Sequence, residues 1–119
     1  MNNTTDNTIK NATITAITWN KERGLTQYIA LEGDGWGCSF GGYYLGGDAC
    51  YDWIMQIMDV LELWEFCDKT LIGRNVRVRF SDHGRPGSTI EAIGHIIEDK
   101  WFCPKEFFDT KRNENEVIT

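Results

Sequence analysis

The stretch DACYDWIMQIMDVLE, residues 48–62, decides the fold because its pattern is that of an amphipathic helix. Its apolar residues recur every three or four positions, which is the spacing of one helix face. The predicted inward-facing residues are Cys50, Trp53, Ile54, Ile57, Met58 and Leu61. Asp48 is predicted to cap the N-terminus. A single helix of this kind requires a sheet to cover its apolar face.

Downstream of the helix, the sequence alternates between apolar and polar residues, which is typical of strands. In NVRVRF, residues 75–80, Val76, Val78 and Phe80 share one face and two arginines share the other. Residues 89–97 predict a further strand with apolar residues on both faces. That strand is therefore expected inside the sheet.

Upstream of the helix, residues 8–19 and 25–32 alternate in the same way and predict two strands joined by a short turn. Glycines then interrupt the pattern in residues 33–37. The following segment CSFGGYYL, residues 38–45, predicts a third strand with a glycine kink in its middle. The first half of the chain is therefore expected to form a meander.

The whole chain has 119 residues, the usual size of one domain. Residues 8–109 are predicted to form that domain, and the polar residues 1–7 and 110–119 are predicted to be flexible ends. Pro104 is placed to open a short final helix. The expected fold class is α+β, a mostly antiparallel sheet of about five strands with one main amphipathic helix packed on it and a short C-terminal helix.

Charge and composition exclude several classes of partner. The formal net charge is −6, which argues against duplex nucleic acid as a partner because phosphate contacts require many lysines and arginines. No apolar run approaches the length of a membrane span, so no membrane partner is expected. The four cysteines form no Cys-x-x-Cys pair and are interpreted as free thiols in a reducing cytoplasm.

The standard catalytic motifs are missing, including a nucleophile elbow and a phosphate-cradling Walker loop. His83 and His95 are the only histidines, and with scattered cysteines they predict no metal site. His95 lies between isoleucines on a predicted strand, where a histidine is more often bonded to backbone or carboxylate than a general base. We therefore expect no cofactor and no enzymatic activity, although a small phosphoester hydrolase stays an open alternative.

Ligand binding has more support from the sequence. Aromatic residues cluster near the glycines, where a ligand can approach the backbone closely and stack on a flat ring. Arg77 and Arg79 share one strand face and Arg85 follows in the next loop, and arginine forks grip phosphate oxygens. The combination favours a ligand with a base and phosphates. The alternative for the two strand arginines is an exposed face or an oligomer interface.

Two motifs carry a family resemblance. FGGY, residues 40–43, follows a glycine-rich turn, and IGHIIEDKWFCPK, residues 93–105, comes after the arginine-bearing strand. With the N-terminal strand and the central helix in the same order, residues 9–108 resemble a family of short bacteriophage proteins, the first class of Thoeris anti-defence proteins.

The resemblance implies a sponge that acts in the cytoplasm of an infected bacterial host. Such a protein sequesters a cyclic ADP-ribose isomer made by a TIR-domain enzyme, so that the host effector is never switched on. The family also implies immune evasion without catalysis, assembly as homo-oligomers (dimers or hexamers), and binding of cyclic oligonucleotides at a separate arginine-lined interface in some relatives.

The chemistry of such ligands, an adenine with a pyrophosphate, suggests the candidate residues. The candidates are Trp19, Phe40, Tyr43, Arg77, Arg79, Arg85, His95 and Lys100. Trp19 and Phe40 are expected to stack on the base, the arginines to bind phosphates, and His95 or Lys100 to contact ribose or pyrophosphate. The competing hypothesis is an anti-CRISPR-like inhibitor that binds a host defence effector directly through an acidic surface.

Overall fold

A computed structural model describes residues 9–21, 24–81 and 89–118, with side chains as far as residue 111. Within these residues the chain forms six strands and three helices, so the predicted α+β class is confirmed with one strand more than expected. The elements are β1 (Ile9–Asn20), β2 (Thr26–Gly33), β3 (Trp36–Gly41), α1 (Asp48–Leu61), α2 (Asp68–Leu71), β4 (Asn75–Phe80), β5 (Ile90–Gly94), β6 (Trp101–Phe102) and α3 (Pro104–Ile118).

The strands form one antiparallel sheet in the order β3-β2-β1-β4-β5-β6. The long β1 organises it, because its C-terminal part pairs with β2 and its N-terminal part pairs with β4. Ile17 lies opposite Ile29 in the first pairing, and Ala12 lies opposite Val76 in the second. The helices α1 and α2 lie between β3 and β4 in the chain, so β4 returns to the free side of β1.

Aromatic contacts show that the sheet curls around its core. The rings of Trp36 on β3 and Phe80 on β4 lie 5.4 Å apart, edge to face. Phe40 on β3 also meets Phe102 on β6, with ring centroids 6.2 Å apart. Neither pair belongs to neighbouring strands, and aromatic rings attract one another in this edge-to-face geometry. The two ends of the sheet therefore approach each other across one hydrophobic core.

The main helix α1 packs into this core through Trp53. Its indole stacks on Phe40 with centroids 5.3 Å apart and meets Phe102 edge to face at 5.4 Å. The helix buries its predicted face through Trp53, Ile57 and Leu61, together with Val60. Gly47, with a positive φ of 57°, occupies the N-cap position that was predicted for Asp48. Asp48 is instead the first helical residue, where its charge suits the positive end of the helix dipole.

Strand ends differ from the sequence expectation where glycines or side chains turn the chain. β3 stops at Gly41 because Gly41 and Gly42 both have positive φ, and Gly42 donates its N–H to the Gln27 carbonyl. β5 stops at Gly94, three residues earlier than predicted. A loop of residues 95–100 then leads to β6, which was not predicted because two residues carry no periodicity.

The final helix begins at Pro104, as predicted. It continues to Ile118, beyond residue 109, where the sequence placed the end of the domain. Residues 110–118 are mostly polar, and a polar segment offers no apolar repeat from which a helix can be predicted.

Candidate functional site

Two arginines of β4 lie over the indole ring of Trp101. The Cζ atoms of Arg77 and Arg79 are 5.0 and 5.7 Å from the ring centroid. Strand register produces this arrangement, because Gly94 on β5 pairs with Arg77 on one side and with Trp101 on the other. Cations are attracted to the face of an indole at such distances. Arg77, Arg79 and Trp101 thus form one cationic and aromatic surface across β4, β5 and β6. We call these three residues the Arg–Trp cluster.

Gly94 makes room for the tryptophan ring. A Cβ atom placed on Gly94 would come within 2.7 Å of the ring of Trp101, closer than nonbonded atoms approach. The ring therefore lies across the β5 backbone at the one position without a side chain.

Arg77 also anchors the loop of residues 95–100. Its Nε and one Nη donate hydrogen bonds of 2.8 Å to the carbonyl oxygens of His95 and Glu98. The Nδ1 atom of His95 accepts the backbone N–H groups of Ile97 and Glu98 at 3.1 and 2.9 Å. An accepting Nδ1 leaves the proton of a neutral imidazole on Nε2. This local network holds the loop that connects β5 to β6.

Glu62, just beyond α1, joins the same network. Its carboxylate lies 3.5 Å from Nε2 of His95 and 2.5 Å from Nζ of Lys100. The hydrogen bond from Lys100 holds the pKa of Glu62 below its ordinary value, with a smaller contribution from the Lys100 charge. His95 thus has the backbone and carboxylate partners that the sequence interpretation favoured. Arg77, His95 and Lys100, three of the residues predicted to bind a ligand, lie in this one network, where each supports the loop.

A cleft of about 460 Å³ opens beside the Arg–Trp cluster, between β6, α1 and α3. Arg79 and Trp101 line it together with Phe107, Glu106 and Lys111. With Phe102, which also lines it, the cleft therefore combines three aromatic rings, two cations and one carboxylate. This mixture suits a ligand that has both a flat apolar part and a charged part.

Arg79 is held in this cleft by carboxylates. Its Nε donates to Glu91 at 2.6 Å, and one Nη lies 3.6 Å from Glu106. Burial acts to lower the pKa of Arg79, but the hydrogen bond and charge of Glu91 outweigh it and the pKa is raised. The guanidinium therefore stays charged at every physiological pH.

Three predicted aromatic residues lie elsewhere. Phe40 is fully buried in the core and presents no face to a ligand in this structure. Tyr43 is half-buried against Trp53, and burial raises the pKa of its hydroxyl. Trp19 is 42% exposed and contacts Phe66 instead of the Arg–Trp cluster. Arg85, the third predicted phosphate ligand, lies outside the described residues.

Sequence reasoning missed Trp101, the residue at the centre of the cluster. It lies within the IGHIIEDKWFCPK segment, but no periodicity identified it as a site residue. One feature of the sequence could have identified it: a glycine in a predicted strand, Gly94, is followed closely by this tryptophan. Glycine leaves room for an aromatic ring to lie across the backbone.

A second, more polar groove of about 740 Å³ lies on the outer face of the sheet. Residues at its wall include Asn11, Thr13, Asn75 and Asp34, and Thr13 donates a hydrogen bond of 2.8 Å to Asn75. No arginine or lysine lines it among the described residues. The groove is therefore a poorer match for phosphate than the cleft beside Trp101.

No helix in residues 9–21, 24–81 and 89–118 is long and apolar enough to cross a membrane. The same residues contain no group of three or more His, Cys, Asp or Glu side chains that could hold a metal ion. Comparison with protein-family models, curated proteins and solved structures finds no match for this chain. Fold and site together define a small α+β protein with a cationic and aromatic cleft.

Proposed function

We propose that the protein binds a cyclic nucleotide signal of the cyclic ADP-ribose type in the cleft beside Trp101 and holds it without cleaving it. The observation that carries this proposal is the pair of guanidinium groups over the Trp101 ring, of which the Arg79 group lines the cleft together with the ring. The cleft volume of about 460 Å³ lies within the roughly 300–1,000 Å³ typical of small-molecule sites. In the cytoplasm of an infected bacterium, such binding would remove the signal from its effector.

The cleft offers both kinds of contact that such a ligand requires. Phe107 provides a ring surface on which an adenine can stack, and Trp101 contributes the adjoining aromatic wall that the guanidinium groups cover. Each guanidinium has about five N–H donors. Arg79 lines the cleft and has two carboxylate neighbours, whereas Arg77 is not one of its lining residues and commits two donors to the loop of residues 95–100. The remaining donors of Arg79 support bidentate binding of a phosphate.

Glu106 is the group that a phosphate would displace. Its carboxylate is 3.6 Å from Arg79, and its side chain is 75% exposed, whereas Glu91 is only 2.6 Å away. The longer and more exposed ion pair is the weaker one. An incoming phosphate therefore replaces Glu106 and leaves Glu91 to orient the guanidinium.

The chemistry of the cleft favours binding over turnover. Cys103 is the thiol in the cleft wall, but burial raises the pKa of this thiol, and the protonated form is a poor nucleophile. No histidine lines the cleft among the described residues, so no imidazole base stands beside that thiol. A sponge needs only slow release of an intact ligand.

The test is calorimetry and thermal shift with a cyclic ADP-ribose isomer and with a cyclic oligonucleotide, followed by mass spectrometry of the ligand released on heating. Arg79→Gln is expected to weaken binding by about 10- to 100-fold, the effect of one charged hydrogen bond. Glu106→Gln is expected to strengthen it several-fold because a competing anion is removed. Arg74→Gln is the control, since it makes the same charge change but bonds the carbonyls of Thr70 and Leu61.

Three results would contradict the proposal. Ligand recovered in a cleaved form would indicate an enzyme. Equal losses of ligand affinity in the Arg79 and Arg74 variants would show that the cleft is not the binding site. Binding of a purified host effector with no thermal shift from any nucleotide would favour the protein-inhibitor hypothesis.

Self-association is part of the same proposal, because a pocket shared between two protomers encloses a dinucleotide more completely than one small domain does. Light scattering with and without ligand is expected to show a dimer or a hexamer. A strict monomer in both conditions would count against a shared pocket.

A further inference from the structure

The loop after α1 presents Trp64 to solvent. Its side chain is 97% exposed, more than any other large hydrophobic side chain that the structure describes. Scattered apolar residues on a surface are ordinary and need no explanation by themselves. Trp64 differs because its backbone is held in place and because a groove and a set of carboxylates surround it.

Hydrogen bonds hold the loop on both sides of Trp64. Glu62 ends the helix in the left-handed region, with φ 57°, and the next N–H, that of Leu63, donates to the Met58 carbonyl at 2.8 Å. On the other side, Thr70 donates its hydroxyl to the Glu65 carbonyl at 2.8 Å. A side chain presented from such an anchored loop loses little backbone freedom when a partner covers it.

A shallow groove of about 260 Å³ lies beside the indole. Met58, Leu63 and Trp64 form its apolar walls, and Asp59 and Glu62 form its polar edge. Its volume is below the roughly 300–1,000 Å³ of small-molecule sites, so it fits a single side chain better than a free ligand. Tryptophan is one of the residue types that are enriched at the binding hot spots of protein interfaces.

The charge around Trp64 identifies the kind of partner. Residues 59–68 include four acidic residues, and the cations beside them are Lys69, which follows in the chain, and Lys100, which pairs with Glu62. Of these four, only Glu62 makes an ion pair within the described residues. A second copy would bring the same carboxylates face to face, and nucleic acids and anionic membranes carry the same sign of charge. What remains is a protein surface with basic residues around an apolar pocket.

We propose that Trp64, with the groove formed by Met58 and Leu63, is a docking surface for a basic protein partner. The partner receives the indole in an apolar pocket and places lysines or arginines opposite Asp59 and Glu65. This surface does not include the cleft beside Trp101, and its function does not depend on nucleotide binding.

The experiment uses the full chain with a photo-cross-linking phenylalanine derivative at the exposed position 67, which keeps Trp64 in place, expressed in bacterial cells. The cross-linked protein is identified by mass spectrometry, purified, and titrated against the unlabelled chain by calorimetry. Trp64→Ala is expected to weaken that binding by about 30-fold or more, the usual threshold for a hot spot. Glu65→Lys is expected to weaken it as well, and to reduce its dependence on salt between about 50 and 300 mM.

Tyr51→Ala is the matched control, because Tyr51 is an aromatic residue on α1 that is also exposed, at 66%. It should leave binding unchanged, and all three variants should keep the circular dichroism melting temperature. The proposal is overturned if the adduct is a second copy of this chain, if no adduct forms beyond that of a cross-linker at position 51, or if Trp64→Ala and Tyr51→Ala bind equally. A failed nucleotide titration would leave these results untouched.

Discussion

Replacing Trp53 and Gln27 singly and together tests the core most directly. Gln27 is a fully buried polar residue, and its Oε1 accepts a hydrogen bond of 2.6 Å from the indole Nε1 of Trp53. The other polar atom of the amide, Nε2, has no hydrogen-bond partner in the described part of the chain. The pair thus joins β2 to α1 through one buried hydrogen bond and leaves one donor unsatisfied.

Each single substitution leaves a buried polar atom without its partner. Trp53→Phe removes the indole N–H from Gln27, which costs about 1–3 kcal/mol, and adds a cavity cost on the order of 1 kcal/mol. Gln27→Leu leaves the indole N–H without an acceptor at a similar cost, but it also removes the unsatisfied Nε2, which offsets part of that cost. We therefore expect the free energy of unfolding to fall by about 2–4 kcal/mol for Trp53→Phe and by about 0–2 kcal/mol for Gln27→Leu.

The double variant is expected to lose less free energy of unfolding than the two single variants lose together. None of the polar atoms of the pair remains, so both costs of an unpaired atom disappear and the coupling energy is about 2–6 kcal/mol, the sum of those two costs. Urea denaturation followed by circular dichroism measures all four proteins, and domains of this size usually have about 5–15 kcal/mol to lose. Losses that add within about 0.5 kcal/mol would refute the hydrogen bond as an energetic link.

Two further predictions concern the backbone and pH. Gly41→Ala is expected to cost about 2–4 kcal/mol in thermal denaturation, because φ is +123° and the new Cβ would lie 2.2 Å from the Gln27 carbonyl oxygen. Gly35→Ala is its control: φ is +80° but no described atom lies within 4 Å, so about 1 kcal/mol is expected, and equal costs would contradict the clash. Folding lowers the pKa of Glu62 because the carboxylate pairs with Lys100. The pairing therefore stabilises the folded state at pH values above the pKa of Glu62 in the unfolded chain. This stabilisation is lost as the pH falls through the pKa of Glu62 in the folded state. The melting temperature of Glu62→Gln should therefore fall less than that of the parent chain between about pH 6 and pH 3, and parallel curves would disprove the coupling.

Local patterns predicted the main helix and the strands well, because burial of one face imposes a period that a single segment reveals. Val76 and Val78 are buried and Arg77 and Arg79 lie on the opposite face, as strict alternation requires. The same reasoning failed for β6, which has two residues, and for the end of β5, which a histidine and its backbone contacts determine.

Phe40 shows why the candidate site was harder to predict than the fold. Sequence places it beside glycines, where an exposed ring would suit a ligand, but stacking on Trp53 and contact with Phe102 place it in the core. Both partners are more than ten residues away along the chain. No local pattern distinguishes a ring that stacks on a ligand from one that stacks on another ring.

The sequence by itself determined the α+β class, the inward face of α1 and the pair of arginines on one face of β4. Periodicity carries that information because each element must bury one side. Only the tertiary structure decided that Trp101 lies beneath those arginines, with Gly94 between it and Arg77. Neighbours across a sheet are set by strand order and register, and these depend on how the whole core packs.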